Sequence, residues 1–170
     1  TLPIGWSSEE KAGRLELEVT TPEPRARYFL EREGAALLAA AIVVALVGGA
    51  FLVAAWLAGV DLDWGRALMA VLLLLPLAGV VIAFGYAVSA WRPGPVAAIL
   101  SAALAVSYFL DLLGPLLGLP DAVREFSVFR LYGQPLTEGV RWGGLAAMLA
   151  LIAVFSVAGG RLFARRDIVK

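Results

Sequence analysis

The sequence predicts an all-α membrane protein with four transmembrane helices. Residues 34–60, 67–91, 93–110 and 142–160 contain no Asp, Glu, Lys or Arg. A helix rises about 1.5 Å per residue and the hydrocarbon core is about 30 Å thick, so roughly 20 apolar residues cross it. Three of the runs reach that length, and the third is continued by apolar residues 112–119 beyond a lone Asp111. The composition, 61% hydrophobic, lies well above the roughly 45–50% apolar usage of soluble domains. The runs show no period-2 alternation, which argues against a transmembrane barrel, whose strands alternate lipid-facing and lumen-facing residues.

These observations place the spans at about 34–60, 66–91, 94–113 and 140–161. They divide the chain into a charged segment 1–33, a membrane domain 34–163 and a basic tail 164–170. Four spans put ten of the fourteen basic residues on one side: Lys11, Arg14, Arg25, Arg27, Arg32, Arg92, Arg161, Arg165, Arg166 and Lys170. Arg66, Arg124, Arg130 and Arg141 fall on the other. Lys and Arg flanking spans are retained in the cytoplasm, so both termini of the chain are expected inside. Residues 1–30 carry too many charges for a signal peptide.

Taken in order, Ser7-Ser8-Glu9-Glu10 fits a capping box and predicts a helix start. Leu15, Leu17 and Val19 alternate with polar residues, so periodicity alone leaves that stretch undecided between helix and strand. Pro22 and Pro24 break the chain, because each removes a donor and restricts the residue before it. Pro24 suits the first turn of a helix over residues 24–33, which is expected to form an amphipathic elbow leading into the first span, with Tyr28 at the headgroup level. Pro76 is expected to kink the second span. Gly79, Ala83 and Ala87 recur every fourth residue and offer a smooth ridge to a neighbouring helix. Trp56, Trp64, Trp91 and Trp142 fall near span ends, as an aromatic belt requires.

Asp111 is the one acid within the apolar region. An intramembrane carboxylate is a functional candidate by default, since unpartnered burial costs several kcal/mol. Counting from Pro93, however, places it near the outer boundary, where a structural role is favoured: contact with headgroups, or pairing with Arg124 or Arg130. Residues 114–136 contain Pro115, Pro120 and Pro135 with apolar residues every third position. Such a segment suits an interfacial loop or a re-entrant helical hairpin.

The chain has no histidine and no cysteine, which excludes disulfides and thiolate or imidazole metal ligation. No Gly-x-x-x-x-Gly-Lys-(Ser/Thr) phosphate cradle occurs. No catalytic, metal or cofactor residue is assigned, and nothing points to a nucleic-acid partner. Glu9-Glu10-Lys11-Ala12-Gly13-Arg14 satisfies the Glu-Glu-x-x-x-Arg of CAAX-type intramembrane proteases, but those enzymes need histidines to complete their site.

The stretch Glu9-Glu10-Lys11-Ala12-Gly13-Arg14-Leu15-Glu16-Leu17, followed by Thr20-Thr21-Pro22 and Arg25, resembles the cytoplasmic loop of the permease subunits of type-2 ABC exporters. Leu119-Pro120-Asp121, Phe126-Ser127-Val128-Phe129 and Tyr132-Gly133-Gln134-Pro135 are similar to the connection before the last span in permeases grouped with polyketide-antibiotic exporters. Arg165-Arg166-Asp167 resembles their closing sequence. The resemblance implies helix for the ambiguous 15–19 stretch. It also implies a coupling element at Glu9, Glu10, Gly13, Leu15, Glu16, Thr21, Pro22 and Arg25, docking on a cytoplasmic ABC ATPase that binds the ATP. Asp111, Pro115, Pro120, Asp121, Phe129 and Tyr132 become outer-gate or structural candidates, with the re-entrant form expected. Further implications are a second permease subunit, a bacterial plasma membrane, and efflux of a hydrophobic or amphipathic compound. Such permeases have six spans with this loop after the second, so the chain is expected to correspond to the last four. The rival reading is a membrane scaffold that recruits a cytoplasmic partner without transporting anything.

Overall fold

Four long helices carry the apolar runs in the computed structural model, which describes residues 25–92, 94–125 and 127–164. In chain order the helices are α1 (Arg25–Leu57), α2 (Trp64–Trp91), α3 (Val96–Leu113), the short α4 (Asp121–Arg124) and α5 (Val128–Tyr132), and α6 (Trp142–Ala164). No strand occurs among the described residues. α1, α2, α3 and α6 are each long and apolar enough to cross a membrane. Leu38, Leu46, Trp56 and Val154 are among many large apolar side chains left exposed. That much apolar surface is untenable in water but suits lipid or neighbouring helices.

α1, α2 and α6 pack on one another, and α2 with α6 is the most extensive pair. The four-residue ridge explains why. A Cβ added to Gly79 would come within 2.7 Å of Ile152 in α6, and Ala83 is fully buried. A Cβ on Gly159 would lie 3.1 Å from the Cα of Ala87. Small residues on both helices bring the backbones together, so dispersion contacts accumulate where the bilayer supplies no hydrophobic drive between helices. α2 runs unbroken through Pro76.

Two ends of the bundle can be distinguished. One holds Arg25, the turn between α2 and α3, and Ala164; the other holds the loop after α1 together with α4 and α5. At the Arg25 end, Phe29, Ala36, Tyr86, Ala90 and Phe163 form the buried cluster that joins α1, α2 and α6. Phe29 meets Tyr86 edge-on at 5.7 Å and lies 5.9 Å from Phe163. The Tyr86 hydroxyl donates to the Arg32 carbonyl at 3.2 Å. One turn further, the buried Glu33 accepts from the Ser156 hydroxyl at 2.5 Å, and its second carboxylate oxygen is buried without a partner.

The helix expected over residues 24–33 runs straight into the first span: residues 25–33 continue α1 without interruption and pack against α2 and α6. Phe29, Glu33 and Ala36 fall on one helical face and are all buried, so the face that holds the span in the bundle begins more than one turn before the apolar run. Tyr28 stacks on Phe163 at 6.4 Å and carries Arg32 over its ring at 5.3 Å. The capping box and the 15–19 stretch lie outside the described residues.

α3 stands apart. Only Val96 and Ser107 of that helix are buried. A short turn holds its start beside the end of α2, and α5 holds it near its other end. Between those two attachments it does not close against α2 and α6.

Candidate functional site

The chain turns back into the bundle between α3 and α6. Asp63 starts the arrangement by capping α2, accepting from the Arg66 amide at 3.1 Å. The Arg66 guanidinium lies 3.3 Å from the same carboxylate and donates to the Thr137 carbonyl at 2.9 Å. This ties the loop after α1 to the loop before α6. Both partners of the ion pair are more than half exposed, so the pair itself adds little stability. Its bond to Thr137 fixes where the returning chain runs.

Ser127 holds the deepest point of that return. It is fully buried and caps α5. Its hydroxyl donates to the Ser107 carbonyl at 2.8 Å, while the Val128 amide donates to the Ser107 hydroxyl at 2.9 Å. Ser107 lies about two turns before the end of α3, so the start of α5 sits about 9 Å below that end. The Tyr132 hydroxyl donates to the Ala70 carbonyl of α2 at 3.0 Å. Burial raises the Tyr132 phenol above its ordinary pKa, which keeps it a donor. Leu131 rests on Gly144, where a Cβ would run into its carbonyl oxygen. Phe129 meets Tyr108 edge-on at 6.1 Å. α5 thus packs among three of the long helices, α2, α3 and α6.

Replacing Ser127 by alanine removes the hydroxyl that satisfies the Ser107 carbonyl and leaves the Ser107 hydroxyl with fewer partners in a buried place. We expect a loss of about 1–3 kcal/mol, read as a lowered unfolding midpoint in nanodiscs. A midpoint equal to that of the parent would show that water replaces the bond.

Beneath α5 is a cavity of about 1010 Å³. Leu100, Ala103 and Leu104 of the standing-off α3 form one wall, and Val80 and Phe84 of α2 with Leu151 of α6 form the others. Ser107, Glu125, Arg130 and Arg141 supply its polar lining. The volume is at the upper end of the roughly 300–1,000 Å³ typical of small-molecule sites, and the apolar walls with a few convergent polar groups also fit that type.

Of the expected outer-end residues, the structure gathers Phe129 and Tyr132 onto α5. Pro115 and Pro120 are exposed in the connection before α4, and Asp121 is the first residue of α4. Asp111 is half-buried in the last turn of α3 and makes no ion pair among the described residues. The Arg124 stem lies instead across Gly114, where a Cβ would come within 3.0 Å of it. Arg25 is the first residue of α1. Glu9, Glu10, Gly13, Leu15, Glu16, Thr21 and Pro22 lie outside the described residues. Sequence reasoning missed the roles of Ser107, Ser127 and Arg66. The signal for Ser107 was present, as a polar side chain in the middle of an apolar helix.

Four helices long and apolar enough to cross a membrane, with α5 packed over an apolar cavity, define a multi-pass helical membrane domain. A family model described as the C-terminal domain of the multidrug efflux system permease Rv1217c matches residues 4–164. The chain belongs to that family of efflux permease C-terminal domains. The expectation of a C-terminal permease portion is met by this match. No curated protein and no solved structure matches the chain.

Proposed function

We propose that the chain forms the last four spans of the permease subunit of an ATP-driven ABC exporter. The permease works as a homo- or heterodimer with two cytoplasmic ATPase subunits, which bind and hydrolyse the ATP. Its cargo is a hydrophobic or amphipathic compound, such as a drug, an antibiotic or a lipid-like molecule, moved out of the cytoplasm or inner leaflet of a bacterial plasma membrane. The Arg25 end faces the cytoplasm and the α5 end faces out. The observation that carries this reading is an apolar cavity roofed by α5 in a chain of an efflux permease family. A route of that kind needs an outer closure, and α5 supplies one.

Coupling enters at Glu9, Glu10, Gly13, Leu15, Glu16, Thr21, Pro22 and Arg25. Closure of the ATPase pair pushes on this segment, and α1 begins where it ends. A ligand shifts a two-state element only through different contacts in the two states, so the segment must engage one ATPase state better than the other.

The test is a mild-detergent pull-down of the full-length permease, with mass spectrometry and an ATPase assay of what co-purifies. A stoichiometric P-loop ATPase is expected. Gly13→Leu and Pro22→Ala should each lower transport several-fold while membrane insertion is unchanged. Normal transport by both variants would discard this coupling segment, and absence of any ATPase where a control transporter stays assembled would discard the ABC reading.

A further inference from the structure

The cavity sorts its chemistry by position. Its α2, α3 and α6 walls present Val80, Phe84, Leu100, Leu104, Leu151 and Phe155, and every charged group lining it comes from the α5 end: Glu125, Arg130 and Arg141. Arg130 and Arg141 thus share the rim with Glu125, over a body with no charge of its own. Arg141 is held there. One guanidinium nitrogen donates to the Arg130 carbonyl at 3.0 Å, and its stem lies across Gly133, where a Cβ would come within 2.7 Å. Gly133 has a φ of +72°, a conformation glycine adopts without strain, and its missing side chain is the space Arg141 occupies. A guanidinium has five N–H donors in a rigid fork, so a bond through one nitrogen leaves donors for a planar anion. Arg141 is exposed at the mouth of the cavity, where its remaining donors can reach an anion as charge-assisted bonds.

We propose that the cavity binds an amphiphile with a single anionic group at one end, its apolar body between α3 and the α2–α6 pair and its carboxylate or sulfonate on the Arg130–Arg141 rim. The inference deepens the export reading and rests on it for placing the rim at the outer leaflet. The gap along α3, which is attached only near its two ends, gives a molecule dissolved in the bilayer a way in. A cationic amphiphile would set like charges beside both arginines, and a neutral one would forgo the pair.

The test uses the full-length permease in zwitterionic phosphatidylcholine nanodiscs, without ATP or partner subunits. The probes are 11-(dansylamino)undecanoic acid, its methyl ester and the corresponding primary amine. The acid should bind at least about tenfold tighter than the ester, the factor set by one charge-assisted bond, and tighter still than the amine. Arg141→Gln should bring acid and ester within about twofold, while Arg141→Lys, which keeps the charge, retains most of the preference. Arg161→Gln removes an exposed cation at the other end of the bundle, and should leave the preference intact. Equal binding of the three probes, or a preference for the acid that survives both Arg141→Gln and Arg130→Gln, would overturn the proposal.

Adding phosphatidylglycerol to the nanodiscs identifies the source of the anion. Competition marks a membrane lipid and lack of competition marks a diffusible amphiphile, and both outcomes require the same site. Charge-selective binding without ATP-dependent movement would keep the site and discard the ATP-driven reading. ATP-dependent export with no charge preference in the cavity would do the reverse.

Discussion

Gly144→Val is expected to unseat α5 and reduce transport by more than about tenfold while the four long helices stay assembled. The Leu131 carbonyl occupies the space a Cβ at position 144 would need, and it is a backbone atom that no rotamer change can move aside. Overpacking of this kind costs about 1–3 kcal/mol. α5 is a helix of five residues held by the Ser107–Ser127 bonds, the Tyr132 bond to Ala70 and the contact on Gly144, so a penalty of that size is comparable to what seats it. The α2–α6 pair is far larger, with Gly79, Ala83 and Gly159 buried along it. The strain therefore releases through α5. The chain has no cysteine, so Val128→Cys adds its only thiol, at a position packed against Ser107. Maleimide labelling of that thiol should be slow in the parent and fast with Gly144→Val. Equal labelling rates would show that α6 yields instead, and the assignment of α5 as a separately seated closure would fall.

Phe29→Ala should cause the largest loss of stability of any single truncation at the Arg25 end, about 2–4 kcal/mol. A buried Phe→Ala change in a soluble core costs about 3–5 kcal/mol, from lost transfer energy plus the cavity left behind. In a membrane domain part of the transfer term disappears, because lipid is as apolar as the core. The cavity term remains in full here, since Phe29 is fully buried between Tyr86, Phe163 and the open face of Gly159, and none of these can collapse into the space without breaking the other contacts. The measurement is the midpoint of thermal unfolding in nanodiscs, with Leu38→Ala, an exposed position on the same helix, as the control. A Phe29→Ala midpoint equal to that of Leu38→Ala would mean that residues 25–33 contribute nothing to holding α1 in the bundle.

The long helices were legible because a span is specified by length and by the absence of charge, both one-dimensional properties. The Gly79–Ala83–Ala87 ridge was legible for a related reason: regular spacing on a helix defines a face, and that face meets α6. The helix before the first span was legible, but not its packing into the bundle: the apolar run begins at Gly34, whereas Phe29 and Glu33 extend the packed face among residues whose neighbours are charged. Asp111 was given a partner by proximity in sequence to Arg124, but Arg124 is drawn across Gly114. The pairing of Ser107 with Ser127 and the cavity were not legible. Both depend on how far α3 stands from α2 and α6, a distance set by the turn at one end and by α5 at the other, which no local pattern encodes.

The uninterrupted course of α1 has a mechanical meaning. Its 33 residues make a rod of about 50 Å, against a hydrocarbon core of about 30 Å. A rod longer than the slab it crosses has leverage: with the Phe29 cluster as fulcrum, a small sideways thrust at Arg25 becomes a larger swing at Leu57. α1 has no break at residues 33–34, so under the export reading a displacement applied at Arg25 is expected to arrive at Leu57 as tilt.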